Sequence, residues 1–369
     1  MQFSLGGLSK TFSKISNAFG SKEGESVLGV DIGSSSIKVV QLTERKGIAV
    51  LETYGEIALG QYGSAEVGQS VNLPAEKIAE AFNDLAREAN VSSKVGGFSV
   101  PLSASLISVI SLPTKNTEEL VAMIPLEARK YIPIPISEVS LDWFIIPDEE
   151  AQFLSVHTAK RGSSVTNVLL VAIRNDILQK WAAVTEAASL SPRFYEIEPF
   201  SFARSSYEHG TAPIMVIDLG ASSTRVYVIE FGIIDVSHTV NRGAQDLTIA
   251  MSKSEGKTFE EAERMKREKG IIGSEVGANT LEFIFSEARR IFLNYQRKEG
   301  KAISQVVLVG GGAQLKGLSE VAGRFFDASV SVASPFDKVS APAFITDVLK
   351  NAGPSFASAV GLALRALKK

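Results

Sequence analysis

One nine-residue pattern occurs twice, and a chain built around such a repeat is most simply two equivalent halves facing each other. Asp31-Ile32-Gly33-Ser34-Ser35-Ser36-Ile37-Lys38-Val39 is answered 187 residues later by Asp218-Leu219-Gly220-Ala221-Ser222-Ser223-Thr224-Arg225-Val226. Each copy closes one apolar run and leads directly into another, so each predicts a strand, a tight turn and a second strand. Asp, Gly, a hydroxyl side chain and a cation stand at matching offsets. At 369 residues the chain is also too long for a single hydrophobic core. The expected architecture is α/β and duplicated, two lobes around a cleft.

These residue types suit a phosphate. A tight Gly–Ser turn points successive backbone N–H groups outward into a small anion-binding concavity. Gly33 and Gly220 have no Cβ, so a phosphate can approach the main chain. Hydroxyls at Ser34, Ser35, Ser36, Ser222, Ser223 and Thr224 add donors. Lys38 can reach back as a compact positive charge. Asp31 and Asp218 would face each other across the cleft, where a carboxylate pair suits Mg2+ held largely through water. One such hairpin alone reads equally as an ordinary turn satisfied by its own Asp and Ser; the matched pair argues for a ligand. A third element, Val306 to Val309, ends in Gly310, Gly311 and Gly312 and opens a helix from about Leu315. Free amides there favour phosphate and ribose oxygens. It is not a Walker A loop, because Leu318 stands where Lys is required, and it is not G-x-G-x-x-G.

Other segments place these elements. Leu5, Leu8, Phe12, Ile15 and Phe19 form one helical stripe, with Lys10 and Lys14 on other faces. Residues 3–19 thus read as a helix on anionic lipid or a partner, or else as a poorly ordered tail or a helix packed on its own protein. After a joint at Gly20–Ser26, strands are expected at Val27–Gly33, Ser36–Leu42 and Ile48–Ile57, a helix over Pro74–Ala89 and a strand at Gly97–Pro101. Residues 103–192 mix strands with helices near 117–130 and 175–190. The run Tyr131 to Ile136 carries two prolines and must be an extended connector or a groove wall. A second strand-rich block opens at Pro213, a charged helical region spans about 254–302, and Ser355–Leu367 is an Ala/Leu-rich helix. Within that region a run such as Glu260-Glu261-Ala262-Glu263-Arg264 reads as a solvated helix face.

Composition removes several function classes. A net charge of −3 gives no electrostatic footprint for nucleic acid. With no Cys, disulfides, thiolate metal sites and cysteine nucleophiles all drop out. Three His, far apart in sequence, make a poor start for a His-rich metal site or a Ser–His–Asp triad. Nothing approaches the ~18 apolar residues of a membrane span, and nothing at the amino terminus reads as a secretory signal, so a cytoplasmic chain is expected.

The order hairpin, hairpin, strand–Gly–helix resembles the actin-like ATPase superfamily, with its two phosphate motifs and its adenosine motif. Within it the chain resembles the PilM family of type IV pilus assembly proteins, related to FtsA. The stretches that carry the likeness are Leu28 to Lys38, Glu127-Ala128-Arg129-Lys130-Tyr131-Ile132-Pro133-Ile134-Pro135, Val307 to Leu318 and Phe356 to Leu364. The resemblance implies a duplicated ribonuclease H-like fold: a first lobe at 27–102, an FtsA/PilM-type small α+β domain inserted at 103–192, a return at 193–212 and a second lobe at 213–369, the last helix packing back toward the first. It implies ATP and Mg2+ as cofactors. Asp31 and Asp218 would hold the metal's hydration shell, and Gly33, Ser34, Ser35, Lys38, Gly220, Ser222 and Ser223 would line the phosphates. Gly310, Gly311 and Gly312 would face ribose and adenine. Glu198 lies where related ATPases carry a water-positioning residue, and it reads equally as an exposed carboxylate at a helix start.

The implied function is an ATP-binding adaptor of the type IV pilus inner-membrane platform, peripheral to that membrane, at most a slow ATPase. Its implied partner is the short cytoplasmic amino-terminal tail of a PilN-like bitopic membrane protein, docked between the first lobe and the inserted domain. Self-association into a homo-oligomer is left open. The amino-terminal stripe departs from the short start usual in that family. Two other classes compete: an FtsA-like membrane-associated filament former, whose membrane helix is usually carboxy-terminal, and a sugar-kinase-like enzyme, for which no acceptor base is identifiable.

Overall fold

The computed structural model describes residues 24–147, 165–206, 210, 212–270 and 275–368. The amino-terminal stripe lies outside them. In the first lobe, β1 (Ser26–Ile32), β2 (Ser36–Arg45), β3 (Ile48–Ala58), α1 (Ala75–Glu88) and β4 (Val95–Val100) follow in order. The inserted segment supplies β5 (Ser105–Leu112), α2 (Thr117–Ala128), β6 (Val139–Ile145) and β7 (Thr166–Arg174). Then come α3 (Asn175–Ala187), β8 (Ser191–Ile197) and α4 (Glu198–Ser206). The second lobe has β9 (Ile214–Leu219), β10 (Thr224–Glu230), β11 (Ile233–Val240), α5 (Ala244–Glu255), α6 (Phe259–Lys269), α7 (Glu275–Glu299), β12 (Gln305–Val309), α8 (Leu318–Ala322) and β13 (Ser329–Val332). The chain closes with α9 (Thr346–Ala352) and α10 (Ala357–Leu367).

The duplication is topological. One five-stranded sheet runs β3-β2-β1-β4-β8 and the other β11-β10-β9-β12-β13. In each, three antiparallel strands are extended by two parallel ones. The central strands are almost continuously buried, as strands covered on both faces must be. Ile78, Phe82 and Leu85, a helical stripe on α1, cover one face of the first sheet. On the other face α10 lies so close that a Cβ on Gly29 would sit 1.9 Å from the Ala359 carbonyl oxygen; only glycine permits that approach.

A third sheet, β5-β7-β6, is antiparallel with β7 at its centre. Leu120 and Ile124 of α2 fill its core, and Ile132 is buried with them while Ile134 and Ile136 pack against it. The two-proline segment is thus an irregular connector whose isoleucines belong to that core. The expectation placed residues up to 192 in the inserted domain. In the structure α3 packs against α1, and β8 pairs with β4 as the far strand of the first sheet. β8 is invisible to pattern reading because Pro192 interrupts it, which an edge strand tolerates.

The charged region is not one solvated face. α7 buries Leu281, Phe285, Ala288 and Phe292 against Met215, Ile217 and Val228 of the second sheet. Residues after β13 return to the first lobe: Ser340 bridges Val50 on the outer edge of β3, and α10 packs on β1, β4 and α4. A single apolar cluster runs from Leu28 and Phe98 through Phe202 of α4 to Val216 and Tyr227, joining the two lobes behind the cleft.

Candidate functional site

Both hairpins close in the same way. The Gly33 N–H donates to the Ser36 carbonyl at 3.0 Å and the Gly220 N–H to the Ser223 carbonyl at 3.1 Å. A Cβ on Gly220 would lie 2.9 Å from that same Ser223 oxygen, so the turn itself needs glycine. Asp31 pairs in register with Lys38, and Asp218 with Arg225. The two tips meet: Ser34 Oγ and Ser222 Oγ are 3.3 Å apart although 188 residues separate them. The Ser34 and Ser35 carbonyls accept the Val71 and Leu59 N–H groups at 2.9 Å each, which fixes the first tip. Over the second, α5 begins with the Ala244 and Gln245 N–H groups donating to Gly220 and Ala221.

The acidic groups converge beneath the tips. Asp31 Oδ1 is buried and accepts no hydrogen bond. Asp218 is buried, and its Oδ2 accepts from Arg225 Nη1 at 3.1 Å. Glu198, the first residue of α4, is 5% exposed, which excludes the reading of a surface carboxylate. Its Oε2 accepts from the Leu102 N–H at 3.3 Å and lies 3.3 Å from Arg225 Nη1. Burial pushes Glu198 up to about 7; Arg225 pulls it down, and the charges of Asp218 and Asp31 push it up further. Asp218 is raised too, again mainly by burial, with Arg225 opposing. These carboxylates therefore sense one another's charge across the cleft floor.

Lys38 goes elsewhere. Its buried ammonium donates to Ser36 Oγ at 2.7 Å and pairs with Glu56 at 3.2 Å. It still lowers the Asp218 pKa through space. The three glycines also differ. Gly310 has φ +88° and backs onto Asp218, where a Cβ would meet Oδ1 at 2.4 Å. Gly312 is packed on Leu219. Gly311 alone of the three faces open space, with nothing within 4 Å of a Cβ.

Sequence reading missed a buried ion pair beside the second tip, bonded to the start of α5. Lys266 Nζ is buried and donates to Glu263 Oε2 at 2.6 Å, Thr248 Oγ1 at 2.7 Å and the Ala244 carbonyl at 2.9 Å. Burial lowers the Lys266 pKa against the pull of Glu263. Gly68, from the first lobe, abuts the Glu263 carboxylate, and the Ser70 N–H donates to Gln245 Oε1 at 2.9 Å. Gly270 abuts the Lys316 backbone next to the glycine turn. The only sequence signal was the i,i+3 pair Glu263–Lys266 beside small, apolar Ala262 in a charged run.

Among the described residues no cluster of three or more His, Cys, Asp or Glu is arranged to hold a metal ion. The donor set still fits Mg2+, which takes one or two carboxylates and keeps most of its waters, and the partnerless oxygen of Asp31 fits a hydrated cation. Nothing lies within 4 Å of a Cβ position on Gly311, so its backbone can be approached from that side.

Comparison with known proteins gives a consistent result. The family described as type IV pilus assembly protein PilM matches residues 29–367. The PilM-PilN type IV pilus biogenesis complex contains a chain 23% identical with a TM-score of 0.77, the match covering 93% of this chain and 99% of that one. The ethanolamine utilization protein EutJ from Carboxydothermus hydrogenoformans is 18% identical with a TM-score of 0.55, covering 94% and 91%. The fold is the duplicated actin-like one.

Proposed function

Because the chain belongs to the type IV pilus assembly protein PilM family, we infer that it is the MgATP-binding, actin-like adaptor of a type IV pilus inner-membrane platform. Its partner is the short cytoplasmic amino-terminal tail of a PilN-like bitopic membrane protein, and its place is the cytoplasmic face of the inner membrane. Among the described residues no helix is long and apolar enough to cross a membrane; in this reading the partner, and any surface contact of residues 3–19, brings the chain to the membrane. Hydrolysis is slow and incidental to the scaffold role.

The observation that carries the nucleotide reading is the 3.3 Å approach of Ser34 Oγ to Ser222 Oγ. Two copies of one hairpin, from two lobes, reach a single point. A phosphate group entering there exchanges one neutral hydrogen bond for charge-assisted ones of roughly twice the strength. Ser35, Ser223 and the amides of both turns, with Gly33 and Gly220, would complete the phosphate cradle, and Lys38 would add charge from behind Ser36. Asp31 and Asp218 would hold the hydrated Mg2+, whose chemistry is to neutralise phosphate charge. Gly311 would lie under the ribose and base, flanked by Gly310 and Gly312, with the Glu263–Lys266 pair beside the second tip. Glu198, buried at the floor, would orient a water. A ligand touching both lobes stabilises their approach through contacts that separated lobes cannot make, which is how nucleotide would alter the surface offered to the partner.

The test uses immobilised cytoplasmic tails of bitopic membrane proteins encoded beside this chain. Retention of the full chain by one tail, stronger with MgATP than without, is expected. No retention by any tail, together with ATP-dependent filaments in negative stain, would refute the adaptor and favour the FtsA-like reading.

A further inference from the structure

The duplicated hairpins differ in what their cations do, and the cause lies in the third strand of each sheet. Lys38 and Arg225 hold the same register position, each paired with the aspartate of its own hairpin. On the other side Lys38 stands opposite Glu56 of β3, whereas Arg225 stands opposite Thr239 of β11. Directly opposed side chains are close enough to pair, and Lys38 forms its 3.2 Å ion pair with Glu56. Thr239 offers Arg225 no charge. The guanidinium turns to the cleft floor instead, with Nη1 3.1 Å from Asp218 Oδ2 and 3.3 Å from Glu198 Oε2. Both carboxylates are buried, and Glu198 is the largest influence raising the Arg225 pKa. Arg225 Nε is itself buried without an acceptor, so the Nη1 contacts hold the side chain.

We propose that Arg225 is a positioning residue that binds Asp218 and Glu198 into one ion-paired unit, and that Mg2+ must compete with it for Asp218. The inference rests on the nucleotide reading above. An oxygen already accepting a charge-assisted hydrogen bond is less available to the ordered water shell of Mg2+, which tolerates little distortion. Among the described residues Asp31 has no such competitor, since its Oδ1 has no hydrogen bond and Lys38 is held by Glu56. The two halves of the metal site are therefore unequal. Asp31 is ready to receive the hydrated cation, while Asp218 must first release Arg225. The same guanidinium holds Glu198, so the metal-side and water-side carboxylates are released together or not at all.

The test is the Mg2+ dependence of trinitrophenyl-ATP binding to the full chain, read by fluorescence, alongside thermal unfolding without nucleotide. For Arg225→Gln the Mg2+ concentration at half-maximal binding falls about tenfold, equivalent to about 1.4 kcal/mol. A side chain that only supports the fold would lower the unfolding temperature and leave that midpoint in place. An unmoved or raised midpoint overturns the proposal. If Arg225→Gln does not fold, Arg225→Lys carries the test. Its shorter stem does not carry the charge to the point between the two carboxylates that Nη1 occupies, so the midpoint again falls, and an unchanged one counts against the proposal. Failure of the wild-type chain to bind at any Mg2+ concentration is a separate result, which removes the nucleotide reading itself.

Discussion

Alanine at Gly310 and at Gly311 should have opposite consequences, although the residues are adjacent. Gly310 has φ 88° and ψ 171°, a conformation essentially reserved for glycine. Forcing a side chain into it costs about 1–3 kcal/mol. The new Cβ would also lie 2.4 Å from Asp218 Oδ1 and 2.8 Å from the Leu219 carbonyl oxygen. Such overpacking adds about 1–3 kcal/mol, so Gly310→Ala should lose about 4 kcal/mol, a large share of ordinary domain stability. It should also displace the Asp218 carboxylate. Gly311 has no positive φ and no atom within 4 Å of its Cβ position. Gly311→Ala should leave stability unchanged or raise it by about 0.5 kcal/mol through the unfolded chain. Its methyl group would enter the space assigned to the nucleotide, and trinitrophenyl-ATP affinity should fall at least about tenfold, or about 1.4 kcal/mol. Urea unfolding followed by circular dichroism and a fluorescence titration measure the two effects. Undiminished binding by a folded Gly311→Ala would refute the placement of the nucleotide, and a Gly310→Ala variant as stable as wild type would refute the backbone argument.

Asp31→Ala should abolish Mg2+-dependent ATP binding while changing stability by less than about 1 kcal/mol, because Oδ1 has no hydrogen bond to lose; calorimetric titration with and without Mg2+ decides it, and undiminished binding would move the metal elsewhere. Glu198 makes stability fall with rising pH. Its folded pKa, raised to about 7 from 4.5, means its contribution is fully present below about pH 4.5 and is lost as pH rises through 7. The loss approaches about 3 kcal/mol by pH 8, and Asp218, shifted the same way, adds to it. Glu198→Gln should flatten the urea midpoint between pH 5 and 8; a slope equal to that of wild type would count against the buried carboxylate.

The elements that were legible in the sequence are those whose cause is local. Each hairpin is closed by a hydrogen bond between residues three apart, Gly33 to Ser36 and Gly220 to Ser223, so spacing alone announces it. The buried strands β1, β9 and β12 show as apolar runs for the same reason. β13 is only four residues long and β8 contains Pro192, so neither carries a period that can be read. Glu263 and Lys266 looked like solvated charges because nothing in a charged helix states which face a neighbouring helix will cover. Burial of Glu198 was likewise beyond reach: a carboxylate at a helix start is ordinary until α4 is seen at the floor of a cleft.

By itself the sequence determined that two strand–turn–strand units, each with an aspartate, a glycine, hydroxyls and a cation in fixed order, must build two like halves. Turn closure and strand alternation depend on neighbours a few residues away. Only the tertiary structure decided what the cations do. Lys38 and Arg225 stand at one position of the repeat, but cross-strand register sets Glu56 opposite the first and Thr239 opposite the second. Register is a property of paired strands, and charge follows the nearest counter-charge. One cation is therefore held at the sheet, and the other reaches Asp218 and Glu198 beneath the meeting point of the two lobes.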